Sequence, residues 1–190
     1  MKKSKAEAAE TRRRIVKAAN LEFCRNGIHA TGLVDLMAAA GLTQGGFYKH
    51  FRSKDQVIAE ACAAGTEAVA EVVESAAKRA GGKSGLEEIV DFYLSMDHRD
   101  RGQGGCPLAA LGSELVHADE QVRAAASDGF LKLVDVIAKQ FPRTKPEAAR
   151  ERAAFVVSAM VGAITMSRMV TDPELSATIL EQTRKRLTKR

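Results

Sequence analysis

The sequence predicts an all-α protein. Apolar residues recur every three or four positions along most of the chain, which is the spacing of helices that bury one face. The alternating β-branched runs that indicate strands are missing. With 190 residues, 45% of them hydrophobic, and only four prolines, the chain is long enough for a small module joined to a larger helical body.

About nine helices follow from this spacing and from the residues that start and stop helices. Gly27 ends the first helix as a left-handed cap, and Gly41 makes the next turn. GGKSG at 81–85 and RGQGG at 101–105 are breaks. The predicted helices cover 8–26, 31–40, 43–51, 54–79, 86–98, a stretch opened by Cys106-Pro107, 119–141, 146–170, and a last stretch opened by Asp172-Pro173.

Between residues 31 and 55 the pattern is two short helices, a tight glycine turn between them, and the start of a third. Thr31, Thr43 and Ser53 are placed to cap these helices. A helix-turn-helix of this kind lays its second helix in the DNA major groove while the first braces it. This segment therefore predicts DNA binding.

The second of these short helices carries polar side chains suited to phosphates and base edges. The amide of Gln44 can pair with adenine, while Tyr48 and His50 can donate to phosphates. The Gly45-Gly46 pair has two readings, close approach to DNA or a frayed helix. The predicted DNA-binding residues are Thr31, Thr43, Gln44, Gly45, Tyr48, Lys49, His50 and Lys54.

Positive charge is concentrated in the same part of the chain. Residues 1–54 hold eleven lysines and arginines against four acids, a net charge of +7, whereas the remaining residues sum to −2. Such a basic segment is the electrostatic footprint of nucleic-acid binding. In the basic N-terminal arm, Lys2, Lys3, Lys5 and Arg12 to Arg14 either follow the DNA backbone or enter a minor groove. For the three lysines, a mobile solubilising tail is the alternative.

The block RRRIVKAANLEFCRNGIHATGLVDLMAAAGLTQGGFYKHFRSKDQVI resembles the DNA-binding domain of the TetR/AcrR family of bacterial regulators. Its most diagnostic piece is GLTQGGFYKHFRSKDQV. Gly32 departs from the family, which more often has a small hydroxyl residue there, so no phosphate contact is expected from that side chain. The resemblance implies a DNA-binding domain at residues 1–53 and an effector-binding and dimerisation domain at 54–190.

A homodimer is expected because one helix-turn-helix reads only a few base pairs. The resemblance implies a four-helix interface made by the last two helices of each subunit. Small residues in the predicted helix 146–170 permit close helix approach, although the same stripe also fits an intramolecular core. The candidate interface residues are Phe155, Ala159, Gly162, Ala163, Met166 and Ile179.

The resemblance also implies an effector pocket in the helical body. Its candidate lining residues, each of which fits an ordinary core better than a ligand contact when taken singly, are Phe92, Tyr93, Met96, Phe130, Met160 and Met169. Cys106 is a candidate sensor of electrophiles or oxidants. It precedes Pro107, a favoured first helical residue, and a helix N-terminus lowers the pKa of a thiol. We expect this thiol to be accessible; the alternative is a small capping residue.

The sequence therefore predicts a ligand-responsive DNA-binding transcriptional regulator, with double-stranded operator DNA and a small-molecule effector or electrophile as partners. The leading interpretation is a homodimeric repressor released by a small molecule or by thiol modification at Cys106. An activator of the same family is the alternative. A thiol-dependent enzyme would rest on Cys106 alone, without a catalytic motif, so no enzyme is expected.

Cysteine spacing and hydropathy argue against a disulfide-rich, a zinc-binding or a membrane-spanning protein. Cys24, Cys62 and Cys106 have neither the pairing of a disulfide framework nor the spacing of a zinc site, so no metal or cofactor is predicted. No apolar run approaches the roughly 20 residues that span a bilayer. The N-terminus lacks the apolar segment of a secretion signal, so we expect a cytoplasmic location and no membrane partner.

Overall fold

The computed structural model describes residues 5–79, 82–100 and 105–189, and their regular structure is entirely helical, as predicted. Within these ranges there are nine α-helices and one 3₁₀ helix. In chain order they are α1 (Lys5–Asn26), α2 (Leu33–Ala39), the 3₁₀ helix (Gln44–Lys49), α3 (Lys54–Ala77), α4 (Gly85–Tyr93), α5 (Met96–Asp100), α6 (Pro107–Leu115), α7 (Glu120–Ala138), α8 (Pro146–Met169) and α9 (Pro173–Thr188).

Several predicted helix ends are confirmed, because their signals are local. Gly27 and Gly41 have φ angles of +86° and +67°, in the left-handed region that glycine enters without strain. The Ser53 hydroxyl accepts the backbone N–H of Gln56 at 3.1 Å at the start of α3. The Asp172 carboxylate accepts the N–H of Glu174 at 2.9 Å at the start of α9.

The single helix predicted over 86–98 is wrong, because the structure has two helices, α4 and α5, in its place. Ser95 lies between them, and its hydroxyl accepts the backbone N–H of His98 at 3.1 Å. The same hydroxyl donates to the Phe92 carbonyl oxygen at 2.8 Å. This side chain therefore serves the end of one helix and the start of the next.

The predicted cap at Thr31 is wrong, and the cap predicted at Thr43 is confirmed in position only. Helix α2 begins after Gly32, and the side chain of Thr31 turns inward, where its hydroxyl donates to the Gly27 carbonyl oxygen at 2.7 Å. Thr43 occupies the N-cap position of the 3₁₀ helix, but its side chain makes no capping bond. The predicted α-helix over 43–51 is instead a shorter 3₁₀ helix.

The chain forms two compact units, the first containing the described residues of 1–66 and 102–128 and the second those of 67–101 and 129–190. These units do not follow the predicted boundary between residues 53 and 54. Leu111 and Leu115 of α6 and Val122 of α7 are buried in the same apolar core as α1 and α2, so α6 and the first part of α7 belong to the first unit.

In the second unit, α8 and α9 pack along each other, and polar bonds tie α5 to both. The Arg168 guanidinium donates to the carbonyl oxygens of Arg99 and His98 at 2.9 and 3.0 Å. Arg99 in turn donates to the Ser176 hydroxyl at 2.8 Å. The largest buried side chains of this unit are Tyr93, Ile89, Leu133, Ile137, Met160 and Ile164.

Two helical glycines of the first unit should respond oppositely to alanine. A Cβ at Gly65 would lie 2.6 Å from Cγ of Pro107, whereas a Cβ at Gly112 would meet nothing within 4 Å. We expect Gly65→Ala to lower the free energy of unfolding by about 1–3 kcal/mol through overpacking. Gly112→Ala should raise it by about 0.5–1 kcal/mol, because alanine favours the helix.

Urea unfolding followed by circular dichroism measures both changes. Equal stabilities for the two variants would show that α3 and α6 are not in close contact at Gly65.

Candidate nucleic-acid interface

The 3₁₀ helix presents most of its side chains to solvent. Thr43, Gln44, Gly45, Tyr48 and Lys49 are all exposed, and Tyr48 is 70% exposed. The structure therefore brings five of the eight predicted DNA-binding residues together on one short exposed segment. These side chains include an amide, a phenol, a hydroxyl and an ammonium group, all of which can donate hydrogen bonds.

The inward face of this helix consists of aromatic rings. Phe47 is fully buried, and Phe51, just beyond the helix, is 2% exposed. Their rings stack with centroids 5.4 Å apart, and the Tyr48 ring meets Phe47 edge-on at 5.2 Å. Both phenylalanines are therefore core residues. Their burial fixes which side of the helix faces solvent.

Intramolecular packing does not require glycine at positions 45 and 46. A Cβ at Gly45 would meet no atom within 4 Å, and one at Gly46 would make an ordinary contact with Cε of Met37 at 3.6 Å. Close approach of DNA remains a physical reason for a glycine at the exposed position 45.

Three of the predicted DNA-binding residues are engaged within the protein. Thr31 is 1% exposed, so the prediction that its side chain contacts DNA is wrong. Lys54 donates from Nζ to the Ile28 carbonyl oxygen at 2.7 Å, tying the start of α3 to the loop after α1. His50 is half-buried, and its carbonyl oxygen accepts a hydrogen bond from Arg12.

The arginines of the predicted basic arm differ in their surroundings, while Lys2 and Lys3 of that arm lie outside the described residues. Arg12 is packed against the ring of Phe51, whereas Arg13 is exposed and pairs with Glu10 on the same helix at 2.5 Å. Sequence composition does not separate these neighbours, because only tertiary contacts distinguish them. A cleft of about 290 Å³ along α1 is lined by Arg14, Lys17, Ala18, Leu21, Glu22, Arg25 and Ala39.

Two family models match this chain. The model for bacterial regulatory proteins of the tetR family matches residues 15–61, which include the 3₁₀ helix and its supports. The model for the C-terminal domain of LmrA/YxaF-like transcriptional regulators matches residues 83–182, more than half of the chain. The chain belongs to the TetR family of transcriptional regulators. Regulators of the TetR family are DNA-binding transcriptional repressors, and responsiveness to a ligand is typical of them.

Individual relatives and a solved structure agree with this assignment. An uncharacterized HTH-type transcriptional regulator of Mycobacterium tuberculosis is 32% identical over 175 residues, covering 85% of this chain and 86% of that protein. A probable acrEF/envCD operon repressor of Escherichia coli is 39% identical over 59 residues, 31% of this chain and 27% of its own length. The crystal structure of a TetR transcriptional regulator from Chloroflexus aurantiacus superposes with a TM-score of 0.76 at 27% identity, covering 96% and 94% of the two chains.

The residues predicted to form a TetR-family dimer interface lie on two sides of α8 and α9. Phe155 and Met166 are 67% and 42% exposed, and a Cβ at Gly162 would meet nothing within 4 Å. Ala163 is 6% exposed, so it faces the core of its own unit and not a partner. Ala159 and Ile179 are half-buried.

The predicted effector-pocket residues do not form one group. Tyr93 and Met160 are buried, whereas Met96 and Met169 are 42% and 66% exposed, so these two do not line an interior cavity. Phe92 and Phe130 are half-buried. The second unit has a cleft of about 260 Å³ with a charged lining, which sequence reasoning missed: Lys83, Glu87, Asp91, Arg184, Lys185 and Thr188.

Cys106 lies at the N-cap of α6, as predicted, but it is fully buried, so the expected accessibility of its thiol is wrong. It belongs to the first compact unit, whereas the other pocket candidates belong to the second. Cys62 is also buried, and this burial, together with the charge of Cys106, raises its pKa to about 11. Cys24 is partly exposed and donates from Sγ to the Gly105 carbonyl oxygen at 3.7 Å.

Within the described ranges, no cluster of three or more histidine, cysteine or acidic side chains is placed to hold a metal ion. Across the same ranges, no helix has the length and apolarity needed to cross a bilayer.

The thiols should react with a disulfide reagent in the order of their exposure. At about pH 8 we expect Cys24 to react first, while buried Cys106 reacts only when the fold opens. With a pKa of about 11 instead of 9.0, Cys62 has about a hundredfold smaller thiolate fraction than an ordinary thiol, and its reactivity should rise with pH.

Peptide mapping of the modified cysteines over time measures this order, with the urea-unfolded protein as the control in which all three react. Fast modification of Cys106 in the folded protein would restore the accessible-sensor hypothesis.

Proposed function

We propose that this TetR-family chain acts as a homodimeric repressor that binds a two-fold operator and is released from it by a small-molecule effector. The observation that carries the proposal is the exposed polar segment of the 3₁₀ helix beside a buried aromatic pair. Activation of transcription instead of repression would use the same DNA-binding surface, so a reporter assay is needed to separate the two outcomes.

The side chains of the 3₁₀ helix divide into two roles on DNA. Gln44 is the first residue of the helix, where an amide can reach a base edge and specify sequence. Tyr48 and Lys49 follow on the exposed surface and suit phosphate contacts, which position the protein without reading sequence. The N-terminus of α3 adds backbone N–H groups that favour a phosphate.

Dimerisation through α8 and α9 is supported by a stripe of apolar or small residues on α8. Phe155, Gly162 and Met169 follow one another at seven-residue intervals, with Ala159 and Met166 between them. This spacing places all five residues on one helix face. Phe155, Met166 and Met169 are at least 42% exposed, and large apolar side chains exposed together mark an interaction surface.

Release by an effector requires a state of the dimer that fits DNA less well. Half-sites on DNA lie about 34–36 Å apart, so an effector that favours a different spacing of the two 3₁₀ helices weakens binding. We place the effector in the second unit, around the buried residues Tyr93 and Met160. Thiol modification at Cys106 is the second candidate signal, and the burial of that residue makes it the weaker one.

Gln44 and Tyr48 should affect DNA binding in different ways. Tyr48→Phe removes one hydroxyl donor and should weaken binding to all sequences, whereas Gln44→Ala should mainly change sequence preference. Selection from randomised duplexes, followed by affinity measurement on the selected and scrambled sequences, tests both variants. A Gln44→Ala protein with unaltered preference would remove the base-reading role from this residue.

Phe155 should be needed for dimerisation. Phe155→Glu places a charge in the proposed interface and should yield monomers that bind DNA weakly, because a single half-site remains. Val116, which is 64% exposed in the first unit, is the matched control, and Val116→Glu should stay dimeric. Sedimentation velocity gives the oligomeric state, and a dimeric Phe155→Glu protein would contradict the proposed interface.

A further inference from the structure

Arg12 joins three elements of the DNA-binding unit at one point. From α1, its Nε donates to Oε2 of Glu60 on α3 at 3.0 Å, and its Nη2 pairs with the other oxygen of the same carboxylate. Nη1 donates to the backbone carbonyl oxygen of His50, at the end of the 3₁₀ helix. The guanidinium carbon lies 4.2 Å from the centroid of the Phe51 ring.

These contacts use the specific geometry of an arginine. A planar guanidinium pairs with a carboxylate through two parallel bonds, which fixes direction as well as distance. The same plane lies against an aromatic face, and a third nitrogen is left for the His50 carbonyl. Lysine, with a single ammonium group on a flexible stem, cannot reproduce this set of contacts.

The carbonyl that Arg12 binds lies where the 3₁₀ helix ends. Carbonyls at the end of a helix have no partner inside the helix and need one from elsewhere. His50 is adjacent to Lys49 and two residues from Tyr48, so the direction of this carbonyl is linked to that of both exposed side chains. The bond to Arg12 therefore fixes the end of the helix against α1.

The Glu60 carboxylate is itself held in place. Gln56 donates from Nε2 to Oε1 of Glu60 at 3.3 Å, and its own Oε1 accepts the backbone N–H of Arg52 at 2.8 Å. The chain between the 3₁₀ helix and α3 is thus bound to the same group of side chains. The Arg12 and Glu60 side chains remain 32% and 34% exposed, so we expect the pair to contribute little to global stability.

We propose that Arg12, held by Glu60, is a positioning residue for operator recognition that sets the direction in which Tyr48 and Lys49 meet DNA. This inference rests on the proposed function, because it assumes that the 3₁₀ helix binds DNA. Arg12 acts through His50, Phe51 and Glu60 and makes no contact with DNA itself.

The Glu60→Gln variant distinguishes this positioning role from an effect of net charge on DNA affinity. Removing a negative charge near DNA should strengthen binding if only net charge matters. If Arg12 must be held by a carboxylate, Glu60→Gln instead weakens binding, by roughly tenfold if one charge-assisted contact is lost. The double variant Arg12→Gln/Glu60→Gln should lose no more than Arg12→Gln alone, because both residues act as one unit.

Arg13→Gln is the matched control. Arg13 is the next residue, carries the same charge and is exposed, but pairs only with Glu10 on its own helix. Its substitution therefore measures the effect of losing one positive charge, and Arg12→Gln should weaken binding further. Arg12→Lys keeps the charge and should still bind weakly, because the paired bonds and the ring contact are lost.

Fluorescence anisotropy measures affinity on a labelled duplex carrying the sequence that wild-type protein selects from a randomised pool. Thermal melting is measured alongside, and binding is compared at a temperature where every variant is folded. We expect weakened binding for Arg12→Lys and Glu60→Gln, and a larger loss for Arg12→Gln than for Arg13→Gln. Wild-type or tighter binding by Glu60→Gln overturns the inference, as does full rescue by Arg12→Lys. A wild-type protein that selects no sequence would instead contradict the proposed function.

Discussion

The 3₁₀ helix, which we propose binds DNA, depends on the burial of Phe47. The helix has six residues, two of them glycines, and isolated helices shorter than about 12–15 residues are marginal in water. Each glycine costs up to about 1 kcal/mol relative to alanine, whereas burying a phenylalanine contributes about 1.5–3 kcal/mol. Tertiary burial therefore decides whether this segment is helical at all. It also decides direction, because with Phe47 inside, Tyr48 and Lys49 face outward.

The polar residues around the 3₁₀ helix have two different roles. Gln44, Tyr48 and Lys49 are left on the surface, where they are available to DNA. Thr31 and Lys54 use their polar groups inside the protein, holding the loop that leads into α2. A regulator of this family needs both sets, since a base-reading side chain specifies sequence only if its backbone is held in a fixed direction.

Local signals made much of the fold predictable from sequence. These signals act through a residue's own backbone or its nearest neighbours. Helix ends or starts are found in the structure at the predicted positions Gly27, Gly41, Ser53, Pro107 and Pro173.

Features that depend on partners distant in the sequence could not be predicted. The hydroxyl of Thr31 looks available until the loop folds over it, and Cys106 looks accessible until α6 packs into the first unit. In the site, exposure separates residues that composition treats alike, as with Arg12 and Arg13. The break between α4 and α5 at Ser95 also depends on local bonds. It was not predicted because a serine inside a periodic helical pattern is only a weak indication that a helix ends.

We expect the exposed side of the 3₁₀ helix to meet operator DNA in the geometry set by its buried side. Amide hydrogen exchange of the protein with and without its selected duplex tests this directly, because it reports each backbone segment separately. We predict slower exchange on DNA binding at Gln44–Lys49 and in the first turn of α3, with unchanged exchange in the last turn of α9. Tight, sequence-specific binding with unaltered exchange at Gln44–Lys49 would contradict it.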